Sequence, residues 1–191
     1  MPVRFQHDQL PNSVYFITFT CYKWKQLFSI AKAYDAVYKW FDSLHEKKIS
    51  VFSYVIMPNH VHVLLHFPTM PKSLNTIIGT AKRFMAYEII KNLEKSKDTL
   101  LLEELYSSVS KRERKKKQRH KVFEESFDAK ECQSMKFILG KIKYIHHNPV
   151  SKRWQLVNDF TDYEYSSASF YEKGVKKYEK LVHVNDVLQQ F

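Results

Sequence analysis

Residues 14–22 read VYFITFTCY, a run of β-branched and aromatic side chains after the turn signal Pro11-Asn12, and they predict a first strand buried on at least one face. From Ala33 to Lys48 the apolar positions Val37, Trp40, Phe41 and Leu44 recur at helical spacing, with Lys and Glu between them. ISVFSYVIM (49–57) and HVHVLLHF (60–67) are two more strand-like runs separated by Pro58-Asn59, which suits an antiparallel hairpin stopped by Pro68 and Pro71. A long second helix is predicted over 73–97, with Ser73 as its cap and Leu74, Ile77, Ile78, Ala81, Met85, Ile89 and Leu93 on one face. The charged stretch 98–121 predicts helix only at LLEELYSSVS (101–110). VFEESFD (122–128) reads as a fourth, edge-like strand. ECQSMKFILGKIKYIHHNPV (131–150) reads as an amphipathic helix ended at Asn148 by Pro149, followed by the aromatic cluster DYEYSSASFY (162–171) and a last amphipathic stretch. The order β-α-β-β-α-β-α matches an α+β, ferredoxin-like sandwich: an antiparallel sheet with helices packed on one face.

At 191 residues, 44% hydrophobic and 15% aromatic, the chain is well supplied with core. It is expected to form one domain over 1–191, with a basic insert at about 98–121 and a C-terminal tail from about 155. The three glycines are isolated, so neither a phosphate-binding loop nor a dinucleotide fingerprint can be built, and no nucleotide cofactor is expected. Two cysteines without a CxxC pair fit a reducing compartment. With no signal-like start and no long apolar run, a soluble, cytoplasmic protein without a membrane partner is expected. The net charge of +11 raises the prior for a polyanionic partner, and most of it is local: KRERKKKQRHK (111–121) has eight Lys/Arg against one Glu. Such a run is either a solvated segment or a grip on nucleic acid, and composition alone leaves both open.

Alternation along a strand puts His60 and His62 on the same face, where two neutral imidazoles supply part of a metal coordination sphere. His66 shares that face but lies too far along to ligate the same ion. A bare His-x-His pair is more often two half-exposed sheet histidines, so it needs partners. Tyr144 and Asn148, four apart on the helix ending in KYIHHNP, share a helical face and could supply them. An activated phenol can attack phosphorus, and a carboxamide oxygen suits Mg²⁺ or Mn²⁺. The ordinary alternatives are a packed helix tyrosine and a C-terminal cap at Asn148.

Taken together, YVIMPNHVHVLLHF (54–67), KIKYIHHNPVSKRW (141–154) and DYEYSSASFY resemble the motifs of the single-tyrosine transposases of the His-hydrophobic-His family, insertion-sequence type. The nearest branch by these motifs is the REP-associated tyrosine transposases, and the similarity runs from about residue 13 to 171. The resemblance implies an enzyme that cleaves and rejoins single-stranded or hairpin DNA, with His60, His62 and Asn148 holding one divalent ion, Mg²⁺ or Mn²⁺. It places the nucleophile on Tyr144, which would form a 5′-phosphotyrosine link. Relatives include monomers and homodimers that exchange the tyrosine helix. The insert at 98–121 has no counterpart in that core. Candidate DNA contacts are Lys111, Arg112, Arg114, Lys115, Lys116, Lys117 and Arg119 in the basic run, Lys82 and Arg83 on the second helix, and Lys141, Lys143, Lys152 and Arg153 near the proposed site. For Trp24, Phe84 and Trp154 core packing is expected over stacking on unpaired bases. The competing functions are a non-cleaving nucleic-acid-binding protein and a hydrolytic nuclease using activated water; no acidic spacing singles out a carboxylate triad.

Overall fold

The computed structural model describes residues 11–69 and 72–188; Pro71, the N-terminal segment 1–10 and the end of the last amphipathic stretch lie outside them. Strand β1 (Ser13–Thr20) leads through a 3₁₀ turn at Tyr22–Trp24 and the short helix α1 (Leu27–Ile30) into α2 (Asp35–His45). The hairpin β2 (Ser50–Met57) and β3 (His60–Phe67) follows, then the long helix α3 (Leu74–Lys95). With a short fourth strand β4 (Asp128–Glu131), the strands form one antiparallel sheet in the order β2-β3-β1-β4, which is the winding of a mixed α+β, ferredoxin-like sandwich.

Both faces of this sheet are apolar, and that decides where the helices go. Tyr15, Ile17 and Phe19 of β1 with Val61, Val63 and Leu65 of β3 turn to one side, where Val37, Phe41 and Leu44 of α2 and Ile78, Met85 and Ile89 of α3 cover them. Val14, Phe16 and Leu64 turn to the other side and meet Ile138, Ile142 and Ile145 of the later helix α6 (Met135–His147). The expected helical layer is thus α2 and α3, while α6 covers the reverse face. Each large side chain buried completely in these layers contributes about 1.5–3 kcal/mol. His60, His62 and His66 lie in the parity of Leu64, so they face α6.

The fourth strand corrects the sequence pattern: β4 is Asp128–Glu131, paired with β1 from Tyr15↔Glu131 to Thr18↔Asp128, rather than 122–128. Residues 122–127 form a loop that sinks Phe123 and Phe127 into the core and touches the sheet only through an isolated Cys21–Phe123 bridge. In the polar sequence of β4 only Ala129 is buried, so pairing with β1 makes it a strand. Helix α6 therefore starts at Met135 instead of 131, with the Phe137 amide donating to the Ser134 hydroxyl at 3.3 Å.

The insert is more regular than its pattern implies. It contains α4 (Thr99–Ser107), capped by Asp98, and α5 (Lys111–Lys115), opened by a reciprocal capping box between Ser110 and Glu113. The aromatic tail covers the outer edge of β2. The Ile56 amide donates to the Tyr165 carbonyl and the Ser167 amide to the Tyr54 carbonyl, before α7 (Ala168–Lys173) and α8 (Val184–Val187) close the reverse face.

Candidate active site

The histidine face of β3 and the outer turns of α6 form the walls of the site. His60 and His62 are 4% and 6% exposed, and their Nε2 atoms approach to 3.1 Å. Their tautomers follow from the neighbouring bonds. The Asn59 Nδ2 amide donates to the Trp24 carbonyl at 2.8 Å, which turns Oδ1 toward His60 Nδ1 at 2.6 Å. A carboxamide oxygen only accepts, so His60 carries its proton on Nδ1 and leaves the Nε2 lone pair facing inward. His62 Nδ1 lies 2.7 Å from Thr18 Oγ1, a hydroxyl that can donate or accept, so His62 is free to take either tautomer. With His60 Nε2 bare, the pair is joined by an N–H of His62. When Thr18 accepts from Nδ1 instead, both lone pairs converge.

Burial holds both rings neutral. His60 is pushed down to about 4 by burial, then by the Arg153 charge, against a hydrogen bond with the Asn148 side chain that raises it. His62 lies well below the ordinary histidine range, through burial, its neighbour His60 and Lys141. Neutral imidazoles need lose no proton to bind a cation, and the Asn148 carboxamide, 8% exposed, reaches the His60 ring and adds an oxygen. Two imidazole nitrogens and one amide oxygen are neutral donors that could together hold a single divalent ion. Asn148 also occupies the C-cap position of α6.

Tyr144 stands one turn before Asn148 and is half exposed. Its ring packs edge-on against His62, with centroids 5.2 Å apart, and against Phe16 at 5.9 Å. Phe16 in turn stacks on His62 at 5.4 Å. Lys141 places Nζ 4.6 Å from the Phe16 ring centre and 5.6 Å from that of Tyr144; partial burial lowers its ammonium from the ordinary lysine range. Tyr144, His60, His62 and Asn148 are thus assembled within one chain. His66, by contrast, lies at the far end of β3, with Nε2 3.0 Å from Asn12 Oδ1 and its ring stacked on Phe52.

The candidate DNA contacts separate into four groups. Lys141 and Arg153 border the histidines. Lys143 and Lys152 are exposed near the C-terminal half of α6. In the basic run Lys111, Arg112, Lys115, Lys116, Lys117 and Arg119 are exposed and pair with no described carboxylate, whereas Arg114 packs over Tyr106 and donates to its carbonyl at 2.9 Å. The segments on either side of the run are joined to residues 22–25 by Lys25–Glu104 at 2.7 Å and by the Tyr22 amide donating to the Val122 carbonyl.

On α3, across the sheet from the histidines, Arg83 is exposed and lies over Phe84, while Lys82 is not a surface cation. Lys82 is 3% exposed and its ammonium donates to the carbonyls of Glu124, Glu125 and Ser126; burial lowers it to about 8. This corrects the sequence reading, because a buried ammonium tying down the 122–127 loop cannot meet a phosphate. Two aromatic expectations also reverse: Trp24 is 51% and Phe84 60% exposed.

Sequence reasoning missed Thr18, Asn59 and Phe16. Asn59 stands directly before His60 in MPNHVH, a visible signal, but Thr18 joins only through the register Thr18↔His62.

No protein-family model matches the sequence, and no curated protein matches it. Among solved structures the chain is similar to a REP-associated tyrosine transposase bound to a REP hairpin, with 15% identity and a TM-score of 0.56 over 92% of this chain and 88% of that one. At that identity the similarity establishes the shared fold.

Proposed function

We propose that the protein is a transposase-like enzyme that cleaves and rejoins single-stranded, hairpin-flanked DNA by tyrosine transesterification. The observation that carries this reading is the convergence of both histidine Nε2 atoms, the Asn148 amide and the Tyr144 ring on one sheet face. The DNA-hairpin-bound neighbour of the same fold supports it.

In this reading His60, His62 and Asn148 would hold a divalent ion, which would supply Lewis-acid charge to the scissile phosphate. The chain's own residues do the rest. Tyr144 projects its phenol from the rigid α6, and the edge contacts with Phe16 and His62 restrict its ring to one approach. Its oxygen attacks phosphorus as the phenolic proton passes to solvent, the P–O3′ bond breaks, and the 3′ oxygen leaves and takes up a proton from solvent. The product is a 5′-phosphotyrosine, which a 3′-hydroxyl reverses without nucleotide fuel. Lys141, beside Tyr144, contributes positive charge where the strand's phosphates would lie.

The test is incubation with labelled hairpin oligonucleotides bearing single-stranded flanks and Mn²⁺, followed by a denaturing gel. A protein-linked label that disappears in excess chelator is expected. Cleavage without a linked label would identify a hydrolytic nuclease, and binding without cleavage a DNA-binding protein; either overturns the proposal.

The basic run is expected to grip phosphates. Changing Lys115, Lys116, Lys117 and Arg119 to Gln should make the plot of log affinity against log salt shallower by about 0.7–0.9 for each phosphate no longer neutralised, irrespective of base sequence. An unchanged slope would assign these residues to a solvated surface.

A further inference from the structure

Resting on that reading of the histidine face, we propose that Trp24, Arg153 and Trp154 form a stacking site for one unpaired nucleotide flanking the cleaved phosphate. The three side chains surround His60: the rings of Trp24 and Trp154 lie 6.0 and 5.8 Å from the imidazole, and the Arg153 guanidinium carbon lies 4.8 Å from one indole and 5.9 Å from the other.

Trp24 is held in this position rather than left there by default. Lys23 and Trp24 adopt consecutive left-handed conformations, φ 50° and 58°, which side chains with a β-carbon seldom adopt. The turn is pinned at every peptide: the Lys23 amide donates to the Glu124 carboxylate at 2.7 Å, the Trp24 amide to the Cys21 carbonyl at 3.0 Å, and Asn59 to the Trp24 carbonyl at 2.8 Å. The result is an indole with about half its surface in water, aimed from a rigid turn, and fastened through Asn59 to the histidine whose tautomer the same amide sets.

Arg153 fixes the chemistry of the occupant. It is exposed and pairs with no described carboxylate, so its cation is available to an anion beside two aromatic planes. A flat π surface next to an uncompensated guanidinium suits an unpaired nucleotide, whose base stacks while its phosphate meets the arginine. A base-paired nucleotide inside a duplex has both faces occupied, so the site selects for single strand at this point.

The experiment measures binding by fluorescence anisotropy, without metal, of hairpins whose flank carries an abasic residue at each position in turn. In wild type one abasic position is expected to weaken binding by about 5- to 150-fold, the usual effect of losing one base–aromatic stack. In Trp24→Ala the intact hairpin should be weakened comparably and the abasic change at that position should cost nothing further, while Trp24→Phe retains part of the effect. Arg153→Gln should make the salt dependence shallower by about one phosphate contact. An abasic penalty undiminished in Trp24→Ala, or no position-specific penalty in wild type, overturns the stacking site. A positive scan without any tyrosine-linked product would overturn strand cleavage and keep the stacking site; failure to bind any hairpin overturns both.

Discussion

Tyr144→Phe is expected to abolish the protein-linked DNA and lower strand cleavage by about 10³-fold or more, with the affinity for hairpin DNA unchanged. A nucleophile cannot be replaced by its neighbours, and removing one eliminates the covalent route instead of weakening it. The phenylalanine keeps the ring, and with it the edge contacts to His62 and Phe16 and the proximity of Lys141. Because the tyrosine is half exposed, loss of its hydroxyl leaves no cavity, so thermal stability should stay within about 0.5 kcal/mol of wild type. Those two controls separate chemistry from folding. Cleavage persisting at the wild-type rate in this variant would mean that water, not Tyr144, attacks the phosphate.

The site was legible in the sequence where local periodicity carries it. The parity of a strand puts His60 and His62 together, and one turn of helix joins Tyr144 to Asn148. What periodicity cannot show is which strand lies beside which. Thr18 reaches His62 only because β1 pairs with β3 in a particular register, and Phe16 meets Tyr144 only because α6 crosses the reverse face of the sheet. The fourth strand was misplaced for a related reason. VFEESFD opens on a β-branched and an aromatic residue, but its two phenylalanines are needed in the core and its carbonyls hold Lys82, so the ladder passes to the polar DAKE segment. Trp24 illustrates the same limit: an aromatic residue is expected inside, and only the left-handed turn shows that it points out. The buried ammonium of Lys82 was hidden because a lysine between apolar neighbours on an amphipathic helix normally reaches solvent.

Acidification should unfold the metal-free protein between about pH 6.5 and 4, and His146 provides the clearest reason. This histidine is 3% exposed, with Nε2 3.1 Å from the Ser53 hydroxyl and 2.8 Å from that of Ser167, so it joins α6, the bulged part of β2 and the C-terminal tail. Burial, reinforced by the neighbouring His147, lowers it to about 4. The unfolded chain binds this proton near pH 6.5 and the folded chain does not, so stability is complete above 6.5 and declines as pH falls toward 4. A depression of that size corresponds to about 3 kcal/mol for one histidine. His60 shifts in the same direction for the same principal cause, so the two together are comparable to the lower end of a typical net stability of about 5–15 kcal/mol. Urea unfolding followed by circular dichroism in chelator, at intervals from pH 7.5 to 4, measures the loss. His146→Gln should be less stable than wild type at pH 7.5, because a shorter amide serves the two serines poorly, yet its stability should fall less steeply with acid. Mn²⁺ at pH 6 should restore stability in both proteins, since an ion held by His60 and His62 as proposed would compete with protons there and not at His146. A His146→Gln curve parallel to that of wild type would show that this histidine does not drive the acid transition.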